Sequence, residues 1–488
     1  MILGVDQGTT GTSVVAYDHD LRAVAEAYRE LPNYHPRPGR VEQDPEDVVR
    51  TVVEAVGEVL GAIGGPDEVE ALGIDNQGET VVAWDAETGR ALGPAVVWSD
   101  GRGAEIVTRL KEAGHGDKVR ELTGLALDPY FSAAKLSWLL EHDAAVRDAA
   151  KVGALRLGTL DAWLSWRLGG GRSLTDHSTA SRTQLLGLKS GAWEPELLDL
   201  FGVPEECLPT VMPSIGDWGE IQHPSWGGSL PWRASLVDQP AALAGNGCFA
   251  EEETKVTYGT GCFVVVNAGK EPPEPPEGLL ASVAWSRGES LTYALDGGVF
   301  TAGTAVNWLR SVGIVTEVAE TADLALSVED TGGVRFLPAF TGLGAPWWEG
   351  DARGVFAGIT GGTLKAHLVR AVLDSIAFRV RDILETAWEG GQPRPQSLRV
   401  DGGLTKNRYL MQRQADLLGL PVEIGPSSEA TATGAAALAA ISAGLLDEQQ
   451  VKDRVEIQDT FEPQASEDER EAEYSRWLDW LRQARELR

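Results

Sequence analysis

Apolar and polar positions alternate along the chain in short blocks. Ile2-Leu3-Gly4-Val5 reads as a buried strand, Gly8-Thr9-Thr10-Gly11-Thr12 as a polar turn, and Val14-Val15-Ala16-Tyr17 as a returning strand. The chain therefore opens with a hairpin whose tip is polar and rich in glycine. Asp44-Pro45 supplies an N-cap and a first-turn proline, and Val48, Val49, Val52, Val53, Val56, Val59, Leu60 and Ile63 recur at helical spacing behind it. Ala71-Leu72-Gly73-Ile74 is another buried strand, running into the polar cluster Asn76-Gln77-Gly78-Glu79-Thr80. Strand, helix and strand in alternation predict an α/β protein.

The same grammar returns in the second half. Lys255-Val256-Thr257 leads into Tyr258-Gly259-Thr260-Gly261-Cys262 and continues as Phe263-Val264-Val265-Val266, a second strand–turn–strand unit. The pattern predicts a fold built twice, with a boundary near residues 245–255 and domains at 1–248 and 249–488. The proline-rich run from Lys270 to Glu277 reads as a surface loop inside the second half. From Glu469 onward, Tyr474, Trp477, Leu478, Leu481 and Ala484 fall at helical spacing, the pattern of an amphipathic helix docked on its own domain.

Length and charge narrow the function. A chain of 488 residues holds two or three domains with their own cores. Its formal charge of −31 gives no footing for a nucleic-acid binder, so an anionic ligand must be held locally against the global field. Cys207, Cys248 and Cys262 have no paired spacing, which points to a reducing compartment, and no His/Cys cluster suggests zinc. Neither a signal peptide nor a long apolar span is evident, so a soluble cytoplasmic protein without a membrane or nucleic-acid partner is expected.

Three glycine turns and one carboxylate carry the candidate chemistry. In Asp6-Gln7-Gly8-Thr9-Thr10, backbone N–H groups and hydroxyls suit a phosphate and the carboxylate suits a metal, although such a tip is also a common structural turn. Gly259-Thr260-Gly261 has the same two readings, and two such hairpins in matching places could clamp a nucleotide across a cleft. Val400-Asp401-Gly402-Gly403, with Asn407 after it, could admit a planar ligand to the backbone or make an ordinary strand–helix turn. Asp238-Gln239-Pro240, ahead of a small-residue helix, is either a cap or a base. No P-loop motif exists, so ATP would have to bind by another scheme.

Eight motifs in order then resemble the FGGY carbohydrate kinases over nearly the whole chain, the glycerol kinases being the most similar branch. They are Asp6-Gln7-Gly8-Thr9-Thr10, Asn76-Gln77-x-Glu79-Thr80, Asp128-Pro129-Tyr130-Phe131-Ser132, Ala180-Ser181-Arg182-Thr183, Asp238-Gln239, Tyr258-Gly259-Thr260-Gly261-Cys262-Phe263, Phe340-Thr341-Gly342-Leu343-Gly344-Ala345-Pro346 and Asp401-Gly402-Gly403. The resemblance implies two actin-like (ribonuclease H-like) α/β domains flanking a cleft, with ATP and Mg²⁺ as co-substrate and metal. It implies Asp238 as general base, and Gln77, Gly78, Glu79, Trp98, Asp100, Tyr130, Gln239 and Phe263 around a polyol or sugar. Thr9, Thr10, Gly11, Thr260, Gly261, Gly303, Asn307, Gly403 and Asn407 would bind the nucleotide. Asp6 would hold Mg²⁺, directly or through water, with Asp238 as a second candidate. A homo-oligomer, dimer or tetramer, also follows from the resemblance.

Three positions depart from the family pattern. Gly78 stands where glycerol kinases carry Arg, which predicts a roomier acceptor site, and Trp98-Ser99-Asp100-Gly101-Arg102 is similar to xylulokinases, with Asp100 open to an extra hydroxyl. Ser13 stands where relatives place Arg or Lys near the transferred phosphate. Gly227-Gly228-Ser229-Leu230 lacks the Arg that ends the motif of relatives regulated by fructose 1,6-bisphosphate, so that regulation is expected to be absent. The expected activity is ATP-dependent phosphorylation of a primary hydroxyl of glycerol or a related short polyol. The alternatives are a pentulose or longer-polyol kinase and a non-catalytic polyol or nucleotide sensor.

Overall fold

A computed structural model describes residues 1–425 and 429–486. In the first lobe, β1 (Ile2–Gln7) and β2 (Gly11–Tyr17) pair antiparallel with Gln7 opposite Thr12, and Gly8 N–H donates to the Gly11 carbonyl at 2.9 Å to close the loop. β3 (Ala23–Glu30) extends this sheet. Helix α1 (Pro45–Ile63) starts where Asp44 accepts from Glu46 N–H and stops at Gly64, whose φ of 101° favours glycine. Its apolar stripe, including Val48, Val52 and Val56, packs against Leu3, Val5 and Val14. β4 (Ala71–Asn76) is buried along its length and lies parallel to β1 with Asp75 beside Asp6.

Helices α2 (Ser132–His142) and α3 (His177–Ser181) precede β5 (Glu220–Gln222), β6 (Ser229–Val237) and α4 (Asp238–Gly245). The sheet order is β5-β6-β4-β1-β2-β3. A smaller sheet made of Glu42–Gln43, Ala95–Val96, Val81–Asp85 and Leu155–Thr159 belongs to the same lobe.

The second lobe repeats the opening. β7 (Thr254–Tyr258) and β8 (Cys262–Gly269) form a hairpin closed by Gly259 N–H to the Gly261 carbonyl, again at 2.9 Å. The chain continues through β9 (Leu280–Arg287), β10 (Ser290–Val299), α5 (Gly303–Ser311), α6 (Lys365–Glu389), β11 (Leu398–Asp401), α7 (Arg408–Leu418) and β12 (Val422–Ile424). It ends with α8 (Ala430–Ser442), β13 (Asp459–Phe461) and α9 (Glu467–Arg485), giving the sheet order β9-β10-β8-β7-β11-β12-β13. The proline-rich segment joins β8 to β9, and Arg120 of the first lobe donates to the Pro275 and Pro276 carbonyls. Helix α9 docks on its own lobe: Tyr474, Trp477, Leu481 and Ala484 are buried, and the Trp477 ring stacks on Phe378 at 4.8 Å.

One helix ties the halves together. α8 is apolar all round, the pattern of a helix with no solvent face, and it lies against the first sheet. A Cβ at Gly4 or Gly73 would come within 2.0 Å of the Ala432 or Ala435 carbonyl oxygen, so only glycine lets these strands meet the helix. Tyr17 and Thr433 hydroxyls meet across the same seam at 2.9 Å. No helix among the described residues is long and apolar enough to cross a membrane.

Candidate active site

Strands β1, β4 and β6 run parallel, so their C-terminal ends share one edge of the sheet, where ligands of parallel α/β sheets bind. This edge carries Asp6, Asp75 and Asp238. Asp6 Oδ2 accepts from Thr431 Oγ1 at 2.7 Å, and burial raises its pKa against that hydrogen bond. Asp75 is fully buried and neither carboxylate oxygen has a donor; burial and the neighbouring Asp6 push its pKa well above the ordinary range. Asp238 opens α4 and accepts from Gln239 N–H at 2.7 Å, while burial and Asp6 raise its pKa to about 6. Ser13, opposite Asp6 in the hairpin, donates to Glu429 Oε2 at 2.7 Å.

Two buried cations answer this charge. Lys255 on β7 donates to Gln239 Oε1 at 2.6 Å and Thr257 Oγ1 at 2.7 Å; burial lowers its pKa, with Asp401 and Asp238 opposing. Arg182, directly after α3, donates from Nε to Glu79 Oε1 at 2.6 Å and from Nη1 to Asp296 Oδ1 at 2.9 Å. Glu79 has the left-handed φ of 59° that is uncommon outside glycine, a conformation held where it turns its carboxylate to Arg182. No role for Lys255 or Arg182 was legible along the chain. The signal for Lys255 was a lysine inside an otherwise strand-like run, and for Arg182 a base set among small residues.

The first hairpin is braced from the acceptor side. Trp98 Nε1 donates to Thr9 Oγ1 at 3.0 Å, and its ring meets Tyr130 edge-on at 5.4 Å. Asn33 and Gln43 each donate to the Thr9 carbonyl at 2.9 Å, and the Tyr28 hydroxyl donates to the Thr10 carbonyl at 3.1 Å. Gly11 closes the tip. Behind Tyr130, buried Lys135 of α2 donates to the Pro129, Tyr130 and Phe131 carbonyls, and burial lowers its pKa to about 7.

Helix α5 braces the second hairpin. The Thr260 carbonyl accepts from Ala302 N–H, Thr304 N–H and Thr304 Oγ1 at 2.9–3.1 Å, and Gly303 N–H donates to the Gly259 carbonyl at 3.1 Å. A Cβ at Gly303 would lie 2.5 Å from that carbonyl oxygen, so glycine is required for the close approach. Thr260 and Asn307 are exposed, Gly403 is exposed beside the same hairpin, and Gly261 is buried. Phe263 pairs with Gly298 across the sheet.

At four of the expected site positions the structure shows protein neighbours that the sequence did not reveal. Asp100 is not open to a substrate hydroxyl: it is buried, accepts two side-chain bonds from Arg102 at 2.8 Å and takes Val41 N–H at 2.7 Å. Burial would raise its pKa, but these hydrogen bonds outweigh it and hold the carboxyl below the ordinary range. Gln77 is also buried and committed, donating to Gln43 Oε1 and the Gly8 carbonyl at 3.2 Å and accepting from Thr80 at 3.1 Å, so it braces the hairpin from behind. At Gly78 a Cβ would lie 2.9 Å from Val237 Cγ2, so among the described residues this methyl is the one neighbour that borders the room left by the missing side chain. Asn407 caps α7 by accepting from Leu410 N–H at 3.0 Å and donates to Thr321 Oγ1 at 3.0 Å, which leaves little of it for a nucleotide. A separate open cavity of about 1150 Å³ on the first lobe, lined by Tyr34, Arg90, Trp166 and Arg167 among others, shares only Gln43 with the network behind the hairpin.

A doubled α/β fold with paired glycine hairpins and a carboxylate edge is the architecture of a sugar or polyol kinase, and the comparisons agree. Residues 1–245 match the N-terminal domain, and 254–443 the C-terminal domain, of the FGGY family of carbohydrate kinases. The chain belongs to this family and is a phosphotransferase with two actin-like domains. It is 42% identical to glycerol kinase 2 of Thermotoga maritima over 98% of this chain and 97% of that one, and 42% identical to the Symbiobacterium thermophilum glycerol kinase over 99% and 98%. Among solved structures, Plasmodium falciparum glycerol kinase with ADP superposes with a TM-score of 0.93 at 30% identity, covering 99% of this chain and 98% of that one. A Lactobacillus acidophilus xylulose kinase, TM-score 0.89 at 23% identity over 97% and 95%, shares the fold.

Proposed function

We propose that this chain transfers the γ-phosphoryl group of ATP to a primary hydroxyl of glycerol or a related short polyol. The observation that carries the reading is Asp238, a half-buried carboxylate with a pKa raised to about 6, beside Asp6 at the edge where three parallel strands end. A base with its pKa near working pH is ionised yet still accepts a proton from a hydroxyl becoming more acidic in the transition state. The identity to glycerol kinases over the full chain supports the acceptor class.

Glu79, Trp98, Tyr130, Gln239 and Phe263 surround the acceptor in this reading, and Asp238 takes the proton of the attacking hydroxyl as it engages phosphorus. N–H groups and hydroxyls of Thr9, Thr10, Gly11, Thr260 and Gly261 hold the phosphates, and Gly303, Asn307 and Gly403 border the nucleotide. Phosphoryl transfer asks mainly for positioning and charge stabilisation, which two rigid hairpin tips supply. Domains at 1–248 and 249–488 place one tip in each half.

The carboxylate edge fits Mg²⁺. Asp75 lies beside Asp6 with neither oxygen accepting from a protein donor, and burial and its neighbour hold it toward the neutral form, which leaves Asp6 and Asp238 as the carboxylates for a cation. Among the described residues no group of three or more His, Cys, Asp or Glu side chains is arranged as a metal cage, and Mg²⁺ ordinarily takes one or two carboxylates together with water and phosphate oxygens. Asp6, with Asp238, would hold it, and when bound it offsets charge on the β- and γ-phosphates. The pentulose reading rested on Gly78 and Asp100 and loses the support of Asp100, which Arg102 occupies. ADP release from Mg-ATP with glycerol, erythritol, xylitol, xylulose and no acceptor tests the proposal: glycerol should dominate, and a five-carbon preference would overturn it.

A further inference from the structure

Building on the reading of the chain as a polyol kinase, we propose that Arg182 determines acceptor specificity: it supplies the charged donor that Gly78 cannot, and together with Glu79 selects an uncharged hydroxyl. The guanidinium lies 5.3 Å from the Phe131 ring centre, next to the loop that carries Tyr130. Glu79 takes its Nε–H and Asp296 one Nη1–H, which uses two of five N–H groups. No acceptor among the described residues engages Nη2, and Nη2 is not among the sealed polar atoms, although the side chain is only 10% exposed. The guanidinium is therefore fixed on one side by two carboxylates and keeps N–H groups open to an incoming acceptor on the other.

The chemistry of the missing partner follows from the group itself. A hydroxyl both accepts and donates, so it can accept from Arg182 and donate to Glu79 in one bond pair. An acceptor bearing its own carboxylate would meet Glu79 as a like charge at the same guanidinium, which disfavours it. Asp296 lies on β10 of the second lobe while Glu79 belongs to the first, so the same arginine also holds the acceptor wall to the nucleotide lobe. Gly78, backed by Val237, offers no donor of its own from a side chain.

Arg182→Ala and Arg182→Lys, assayed by ADP release with glycerol, erythritol, xylitol and gluconate, test this. Arg182→Ala should raise the KM for glycerol about tenfold or more, in keeping with loss of a charge-assisted hydrogen bond, while the KM for ATP stays within about twofold. Arg182→Lys keeps the buried charge but not the planar fork, and should recover part of the loss. Gluconate should remain a poor acceptor for the wild type. An unchanged glycerol KM in both variants, or glycerol and ATP KM values rising together, overturns the inference and leaves the kinase reading standing. If Arg182→Ala does not fold, Arg182→Lys decides alone: its glycerol KM must rise. Wild-type protein inert toward every acceptor overturns the kinase reading and this inference with it.

Discussion

The two hairpins have one backbone plan and opposite electrostatics. Each closes its tip with a glycine N–H to glycine carbonyl bond at 2.9 Å, and each first strand lies parallel to a neighbour that sets an aspartate near its end: Asp6 beside Asp75 in one lobe, Thr257 beside Asp401 in the other. In the first lobe this pair is two carboxylates, whereas in the second a threonine receives a hydrogen bond from Lys255. The first strand end thus gathers carboxylates, while the second sets a buried lysine beside its threonine. Their braces differ in kind as well: side chains of the first lobe hold Thr9 and Thr10, while the start of α5 holds Thr260. A doubled fold thus divides its labour by changing a few side chains at equivalent places.

The largest effect should come from the carboxylate edge. Asp238→Ala should lower kcat by about 10²–10⁴-fold, the usual worth of a positioned base, with ADP affinity by titration nearly unchanged. Near-normal turnover would remove Asp238 from the mechanism. The second hairpin should be next: Gly303→Ala forces a Cβ to 2.5 Å from the Gly259 carbonyl oxygen, and should raise the KM for ATP about tenfold or more with a smaller change for glycerol. If both KM values moved equally, the assignment of this hairpin to the nucleotide would not hold.

The pH profile probes the same base. With its pKa raised to about 6, Asp238 is ionised above that value and protonated below it. Hence kcat/KM should level off above pH 6 and fall about tenfold per unit on the acid side. An acid limb centred near 4 would mean an ordinary, solvated carboxylate. On the other hairpin, Gln43→Ala removes the bonds to Thr9 and Gln77 that hold the tip, and should raise the KM for ATP by about three- to tenfold with a smaller change for glycerol. The smallest change is expected at Ser13→Ala, which deletes one hydrogen bond to Glu429 and should lower stability by about 1 kcal/mol in a denaturant titration, with activity within about threefold. A large activity loss there would show that Ser13 does more than its contact implies.

Much of this molecule was legible along the chain. Short apolar runs marked the hairpins and period-3.6 patterns the Asp44-capped helix and the docked terminal helix, since which residues can be buried is a local property of sequence. Glycine-rich tips announced close backbone approaches, and ordered motifs announced the family. What the chain could not state is which polar atoms are already spent. Asp100, Gln77 and Asn407 have the right chemistry for a ligand, yet Arg102, Gln43 and Leu410 reach them first. Space is likewise a tertiary quantity: the room that a glycine leaves at 78 is bordered by Val237, 159 positions later.

Residue order therefore determined the elements, their doubling and the identity of the carboxylate edge, because these depend on local periodicity and on which side chain ends each strand. Only the tertiary structure decided that Arg182 joins Glu79 to Asp296, that Lys255 serves Gln239, and that Asp75 stands without a donor beside Asp6. The reason is that charge and hydrogen bonding inside a protein are settled by partners distant in sequence, in a medium where an unpaired group is costly.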